Sequence, residues 1–270
     1  MRTWKMAFRG PTKSAWRTRL ASAAVFACAI NPTAGAAEDD SMAILKAMSD
    51  YLAAQETISL KFDSDIEVIT PEMEKIQFTS SGQGLLSRPD KLRARRIGGY
   101  SDVELIYDGQ TISIYDRGGN GYAQIEAPGT VDQLIGSLRA GHGIALPGGD
   151  LLLTTAYDVL IADVMEAKHI GRGIVGGREC EHLAFRNFDT DWQIWVETGD
   201  QPIPCKMVIT SKTINNAPQY TLRITEWEAG VEIAPDAFAF MPPADATVLS
   251  ADDLIHLDEL PQPAAEGESQ

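Results

Sequence analysis

The sequence has few of the features that mark catalytic and membrane-spanning proteins. Its 270 residues contain no run of eighteen apolar residues, which argues against an ordinary transmembrane helix. Four histidines and three cysteines occur, with no His-x-x-x-His or Cys-x-x-Cys pair and no Gly-x-Ser-x-Gly elbow. The Gly-rich loop near residue 145 has neither lysine nor P-loop spacing. We therefore predict no enzyme, no cofactor and no metal site.

Basic residues are also scarce. Lys and Arg number 23 against 38 Asp and Glu, which gives a net charge of −15. A chain this acidic repels phosphate, which argues against binding nucleic acid or an anionic membrane surface. Hydrophobic residues form 44% of the chain, which is ordinary for a globular protein.

The N-terminal residues have the pattern of a signal peptide. Six basic residues and no acid precede an apolar run from Leu20 to Ile30, and small residues follow around Ala36. This order predicts a secretory signal peptide over residues 1–36 and export to a bacterial periplasm. Its removal leaves 17 basic and 38 acidic residues, a net charge of −21. An N-terminal amphipathic helix and a lipoprotein acylated at Cys28 are the alternatives.

The two remaining cysteines, Cys180 and Cys205, would lie in an oxidising compartment. A disulfide between them is the default prediction. The alternative is a metal site that uses Cys180 and His182, which share one face of a strand because they are two residues apart.

The remaining chain reads as an amphipathic helix followed by many strands. Residues 41–56 carry apolar side chains at helical spacing, and residues 59–70 then alternate apolar and charged side chains. Helical segments at 130–140 and 150–165 separate two consecutive runs of strands, and residues 237–241 read as a short edge strand. Trp192 and Trp195 fall on opposite faces of one strand, so one is expected in the core.

This order of elements predicts an α+β fold. We expect one large, curved antiparallel sheet, an incomplete β-barrel of about ten strands, with about three helices covering its concave face. Residues 37–250 would form this single half-barrel domain, and residues 251–270 a flexible, acidic, Pro-rich tail.

Several segments together resemble a known family. They are residues 107–135, 143–152, 202–210 and 238–246 and, most distinctively, 180–197, where CEHLAFR is followed by DWQIWVE. Over Met42 to Leu249 the chain is similar to a family of predicted periplasmic proteins, domain of unknown function 2092, which looks like a member of the lipoprotein-carrier superfamily. The resemblance implies an incomplete antiparallel barrel with a helical lid over an apolar cavity. The family has a basic residue at position 205, so the Cys180–Cys205 bridge is a prediction from this chain alone.

The strand pattern and the resemblance together predict a non-enzymatic binding protein that holds a lipid acyl chain or a lipoprotein. The expected apolar lining comprises Phe62, Ile66, Val68, Leu105, Tyr107, Ile112, Ile114, Trp192, Ile194, Met207 and Ile209. The expected lid comprises Leu134, Leu138, Leu160 and Ile161. A packed core with no ligand stays open as the alternative, and the protein would then dock an envelope partner through its outer face or an edge strand. An enzyme of another type, using His142 or Asp191, is the third reading.

Overall fold

A computed structural model describes residues 34–141 and 148–250, with the side chains of 40–138 and 148–250. All of these residues belong to the compact unit Thr33–Gln270. His142, Cys28, the predicted signal peptide up to residue 33 and the predicted tail lie outside the described residues, so the signal peptide and the tail stay predictions. No helix among the described residues is long and apolar enough to cross a membrane.

The described residues form twelve strands in one sheet, two more than the sequence indicated. In chain order they are β1 (Thr57–Ile69), β2 (Lys75–Ser87), β3 (Lys91–Gly98), β4 (Asp102–Tyr107), β5 (Thr111–Asp116), β6 (Gly121–Glu126), β7 (Glu166–Val175), β8 (Arg178–Arg186), β9 (Thr190–Glu197), β10 (Pro204–Ser211), β11 (Gln219–Ala229) and β12 (Thr247–Val248).

The sheet is curled and does not close. Its order is β12-β6-β5-β4-β3-β2-β1-β11-β10-β9-β8-β7, so the long strands β1 and β11 meet in the middle. All neighbouring pairs are antiparallel except β12 with β6. Because β11 returns to pair with β1, the two runs of strands join into a single surface. The predicted α+β class and open antiparallel sheet are confirmed.

Three helices accompany the sheet within the described ranges. They are α1 (Ala34–Ala53), α2 (Val131–Gly141) and α3 (Ala156–Ile161), and a 3₁₀ turn spans Gly149–Leu152. The predicted helix over 150–165 is therefore wrong in extent. Leu153 has extended backbone, which ends the 3₁₀ turn before α3 begins.

Two apolar clusters fill most of the concave face. Cluster A joins α2 and the start of α3 to strands β1–β6, and cluster B joins α1 and the rest of α3 to strands β7–β11. The buried members of cluster A are Ile58, Leu86, Leu92, Leu105, Tyr107, Ile112, Ile114, Ala123, Val131, Leu134, Ile135, Leu138, Leu153 and Ala156. Those of cluster B are Leu45, Met48, Leu52, Leu151, Leu160, Ala167, Leu183, Phe185, Trp192, Ile194, Val196, Met207, Leu222 and Ile224.

Residues 231–250 form a C-terminal strap that crosses the convex face. The Ala237 carbonyl accepts a hydrogen bond from Arg93 Nη1 at 2.9 Å, and Phe238 is buried. The ring of Phe240 contacts those of Tyr115 and Tyr122. The predicted edge strand over 237–241 is wrong, because these residues form turns and pack by side chains; the short edge strand is β12.

Glu104 fixes the convex face beneath this strap. Its carboxylate is 6% exposed and accepts from Arg93 Nε at 2.8 Å and from Arg117 Nη1 at 2.7 Å. Arg93 also donates to the strap at Ala237, so one buried acid orients the guanidinium that holds residues 231–250 in place.

Cys180 and Cys205 form a disulfide in the structure, and both are fully buried. The bridge joins β8 to β10 across the intervening strand β9. The thiol required by the alternative metal site is therefore part of the bridge.

Replacing the buried acid tests the clamp under the strap. We expect Glu104→Gln to lower the free energy of unfolding by about 1–3 kcal/mol, because both guanidinium groups lose a charged acceptor. Urea unfolding followed by tryptophan fluorescence measures this loss. Asp50→Asn, which removes an exposed ion pair with Lys46, is the control and should not shift the midpoint measurably. An equal response of both variants would contradict the role of Glu104.

The disulfide is tested by intact mass. The non-reduced protein should be lighter than the reduced protein by two hydrogens, and reduction should lower its free energy of unfolding by about 3 kcal/mol, because the bridge closes a loop between residues 25 positions apart. Equal masses before and after reduction would show two free thiols.

Candidate functional site

The register of the central strands defines which side chains face the concave side. Leu60 pairs with Trp227 on β11 and with Gly84 on β2. Every second residue of β1 on either side of Leu60 faces the same side of the sheet. On β1 the concave residues are Ile58, Leu60, Phe62, Ser64, Ile66 and Val68. This strand therefore carries a nearly continuous apolar face from the packed core to its free end.

The predicted lining residues fall into two groups. Seven are buried in the two clusters: Leu105, Tyr107, Ile112, Ile114, Trp192, Ile194 and Met207. Four are half-buried: Phe62, Ile66, Val68 and Ile209. The predicted lid residues Leu134 and Leu138 are buried in cluster A, Leu160 is buried in cluster B, and Ile161 packs against cluster B. The buried residues of the lining and of the lid pack within the two clusters. Among the predicted lining residues, the four half-buried ones are therefore the ones that a ligand could contact.

The half-buried residues are part of a larger apolar surface, here called the apolar patch. Ile66 pairs with Phe78 on β2 and with Tyr220 on β11, and Tyr220 pairs in turn with Ile209 on β10. Val68 pairs with Ile76, which is 40% exposed, one row further out. The patch consists of Ile66, Val68, Ile76, Phe78, Ile209 and Tyr220.

The helices lie to the sides of the patch. Strands β7, β8 and β9 provide the main strand contacts of α1, whereas α2 packs within cluster A. Neither cluster contains Ile66, Val68, Ile76 or Phe78. Tyr100, 62% exposed, meets Phe78 edge-on with ring centroids 5.6 Å apart. The outer half of the central strands thus presents apolar side chains that no described helix packs into a cluster.

Small residues lie between the patch and the core, and we call them the serine floor. Ser64 on β1 faces Ser80 on β2, and Ser80 faces Gly98 on β3. Ser64 and Ser80 are 0% and 3% exposed, and the Ser64 hydroxyl has no hydrogen-bond partner among the described residues. We call the patch and the floor together the trough.

One glycine shapes the inner end of this trough. The ring of Phe62 lies over Gly82, so that a Cβ at Gly82 would fall 2.3 Å from Phe62 Cζ and 2.7 Å from the Arg95 carbonyl oxygen. Only a residue without a side chain leaves this space, which lets Phe62 turn across β2.

The convex face is polar. Trp195 stacks on His182 with ring centroids 4.1 Å apart, and Lys206 Nζ lies 4.8 Å from the Trp195 ring centroid. Burial and the nearby Arg223 lower the pKa of Lys206. Trp192 is the tryptophan in the core, where it stacks on Phe185. His182 Nε2 lies 2.8 Å from Gln193 Oε1, and no group of three metal-ligating residues occurs within 40–138 and 148–250.

Asp65 links the convex side of β1 to its neighbours. Arg223 Nη1 donates to its carboxylate at 2.6 Å, and the Thr79 hydroxyl donates at 2.7 Å. Burial raises the pKa of Asp65, but these two hydrogen bonds and the positive charges of Arg223 and Lys206 together hold that pKa below its ordinary value. The two shallow hollows found on this face, of about 220 and 180 Å³, are lined largely by charged and polar side chains such as Arg93, Glu104, Lys168 and Arg186.

Sequence reasoning missed half of the patch. Ile76 and Phe78 alternate in KIQF, but Thr, Ser and Gly follow them, so β2 lacks a sustained apolar face. Tyr220 on β11 pairs with Ile66 on β1, which lies 154 positions earlier in the chain. No local sequence pattern indicates so distant a pairing. Asp191, the candidate acid, pairs with Arg186 and Lys212 at the surface.

Adding one methyl group at Gly82 tests the geometry of the trough. We expect Gly82→Ala to destabilise the fold by about 1–3 kcal/mol, because Phe62 must leave its position over β2. Gly136→Ala in α2 is the matched control: nothing lies within 4 Å of the added Cβ, and the higher helix propensity of Ala should stabilise by up to about 1 kcal/mol. Thermal unfolding measures both shifts, and a neutral Gly82→Ala would contradict the contact.

Comparison with solved structures finds similar folds at low identity. An uncharacterized conserved protein from Thermus thermophilus has 10% identity and a TM-score of 0.47, with 78% of this chain and 98% of the other covered. The Mycobacterium tuberculosis lipoprotein LppX has 12% identity and a TM-score of 0.45, covering 73% and 100%. MucB of Pseudomonas aeruginosa, solved with MucA, has 14% identity and a TM-score of 0.41, covering 78% and 64%. At these values the likenesses carry no argument about function.

Comparison with curated proteins finds no match. The family profile described as "Predicted periplasmic protein (DUF2092)" matches residues 41–250, which include every strand of the sheet and the whole concave trough. The resemblance noted from the sequence is thereby confirmed, and the periplasm is its expected location. The chain belongs to the DUF2092 family of predicted periplasmic proteins.

Proposed function

We propose that this protein is a periplasmic, non-enzymatic binding protein whose concave trough holds the acyl chain of a lipid or lipoprotein. The observation that carries the proposal is the apolar patch on the four central strands. Its side chains are half-buried or exposed, face the same side and lie at the margin of the two packed clusters or beyond them. Contiguous apolar surface of this kind marks a binding site more often than single exposed residues do.

The chemistry of the patch suits an aliphatic chain. Four strands at about 4.8 Å spacing give the row Ile209–Tyr220–Ile66–Phe78 a width of about 14 Å. The row offers branched aliphatic and aromatic carbon. No charged side chain is part of it. Burial of about ten methylenes at about 0.8 kcal/mol each, less the cost of association, supports reversible binding.

The proposed site is smaller than the lining expected from the sequence. The seven buried members of that lining pack against α1, α2 and their neighbouring strands, so they support the site from below. Phe62, Ile66, Val68 and Ile209 are the members that a ligand would contact. An acyl chain would therefore lie along the trough, with one side against the patch.

Those same seven buried residues favour a second candidate. A protein-interaction module needs no ligand cavity, so a largely packed concave face suits it. The apolar patch would then bind an apolar segment of an envelope protein. The two candidates use the same surface and differ in the occupant.

Polar substitutions on the patch separate binding from folding. We expect the double variant Ile66→Ser, Tyr220→Ser to weaken binding of the fluorescent fatty acid cis-parinaric acid about tenfold or more, because two apolar contacts of about 1 kcal/mol each are lost. Titration followed by probe fluorescence measures the dissociation constant. Both residues are half-buried, so the variant should fold.

The matched control is Ile97→Ser. Ile97 lies on the convex side of β3 and is 46% exposed, so it removes a similar apolar side chain from the opposite face. It should leave probe affinity unchanged. If the unmodified protein fails to bind the probe, or if both variants bind it equally well, the acyl-chain proposal is wrong and the protein-interaction candidate takes its place.

A further inference from the structure

One lysine of the described residues has no acidic partner. Seven lysines lie within residues 40–138 and 148–250. Six of them have a carboxylate oxygen within 4.0 Å of Nζ: Lys46, Lys61, Lys75, Lys91, Lys168 and Lys212. The seventh is Lys206, whose Nζ makes no hydrogen bond or ion pair within those ranges, although the chain carries 38 acidic residues. Its surroundings therefore differ from those of the other described lysines.

The amine of Lys206 lies between an aromatic ring and a cation on the convex face. Its Nζ is 4.8 Å from the centroid of the Trp195 ring on β9, and that ring stacks on His182 on β8. On the other side, Lys206 lies directly opposite Arg223 on β11 in the strand register. The aromatic ring attracts a cation but supplies no counter-charge. Like charges directly opposite each other on neighbouring strands repel, so a charged Lys206 is disfavoured at this position.

The carboxylates of the surrounding strands are bound to other groups. Asp65 on β1 accepts from Arg223 Nη1 at 2.6 Å. Asp63 on the same strand accepts from a serine hydroxyl of β2 at 2.6 Å. Glu197 on β9 pairs with Arg178 at 3.1 Å. None of these three carboxylates therefore neutralises the lysine amine by direct contact.

Burial and the neighbouring cation act on the amine in the same direction. Both lower the pKa of Lys206, and the charge of Asp65 opposes them only in part. By contrast, the hydrogen bond to Asp50 raises the pKa of Lys46. A lysine is nucleophilic only when its amine is neutral, and desolvation or a neighbouring cation increases the neutral fraction. Lys206 therefore has the environment of a reactive amine.

We propose that Lys206 is a covalent modification site that takes small aldehydes as Schiff bases. The neutral amine attacks the carbonyl carbon and forms a C–N bond, and a proton moves from the nitrogen to the former carbonyl oxygen. Loss of water then leaves an imine. An uncharged imine no longer repels Arg223, so the site favours this product more than a lysine paired with a carboxylate does. Because Trp195 and Arg223 flank the half-buried amine, the site suits small carbonyl compounds. It lies on the convex face and is separate from the trough.

Reductive alkylation tests the modification site. The folded protein is treated with limiting acetaldehyde and sodium cyanoborohydride, which reduces each Schiff base to a stable ethyl amine. Peptide mass spectrometry then gives the rate of ethylation at each lysine. Near neutral pH we expect Lys206 to react about threefold or more faster than Lys46, because more of its amine is neutral. An equal or slower rate at Lys206 would overturn the proposal.

The pH dependence separates reactivity from accessibility. The ratio of the Lys206 rate to the Lys46 rate should fall between neutral and alkaline pH. The reason is that Lys206 is already neutral above its own pKa, whereas Lys46 continues to lose its proton. Both rates come from one sample, so changes in the reagents cancel, and circular dichroism confirms that the fold is kept. A ratio that stays constant with pH would show a difference in accessibility alone and would contradict the proposal.

Replacement of the neighbouring cation tests its part in this reactivity. Arg223→Gln should lower the rate at Lys206 near neutral pH about threefold, because it removes the like charge and frees Asp65 to pair with the amine. The matched control is Arg172→Gln, which removes the same charge from β7, three strands away from β10. This control should leave the ratio of rates unchanged. Equal effects of the two variants would contradict the role of Arg223, and if Arg223→Gln does not fold, the pH dependence of the unmodified protein decides.

Discussion

The structure depends on a mismatch between a large apolar sheet face and the helices available to cover it. A sheet of eleven long strands and one short strand curls, which brings the apolar sides of its strands to one concave surface. The three described helices and a 3₁₀ turn cover the two flanks of that surface as clusters A and B. The central strands β1 and β2 extend beyond both clusters. The resulting strip of apolar surface is the physical basis of the proposed binding site.

The convex face is stabilised by different means. Glu104, Asp65 and Asp102 are paired with arginines there, and the strap crosses the same face before its last residues pair with β6. Its path is set by side chains, above all the Phe240 contacts and the hydrogen bond from Arg93 to the Ala237 carbonyl. Polar pairing thus stabilises the convex face, whereas apolar packing in clusters A and B stabilises most of the concave face.

Much of this architecture could be predicted from the sequence, because local alternation is a physical requirement of a half-buried strand. Leu60, Phe62, Ile66 and Val68 predicted the concave face of β1 and lie there. The prediction was less accurate where pairing is long-range or where helices end. The break before α3 depends on the extended backbone at Leu153, and the inner end of the trough depends on the Phe62 ring lying over Gly82. No local sequence pattern indicates either feature. Ile66 and Tyr220 become neighbours only because β11 closes on β1.

The central claim is that the apolar patch on the four middle strands is a surface for an acyl chain. Native mass spectrometry of the protein purified from the periplasm without detergent tests it most directly. The account predicts a species heavier than the mature chain by the mass of a lipid or lipopeptide, which is lost when Ile66 and Tyr220 are both serine and kept when Ile97 is serine. A single species at the mass of the mature chain, unchanged after incubation with membrane lipid extract, would contradict it.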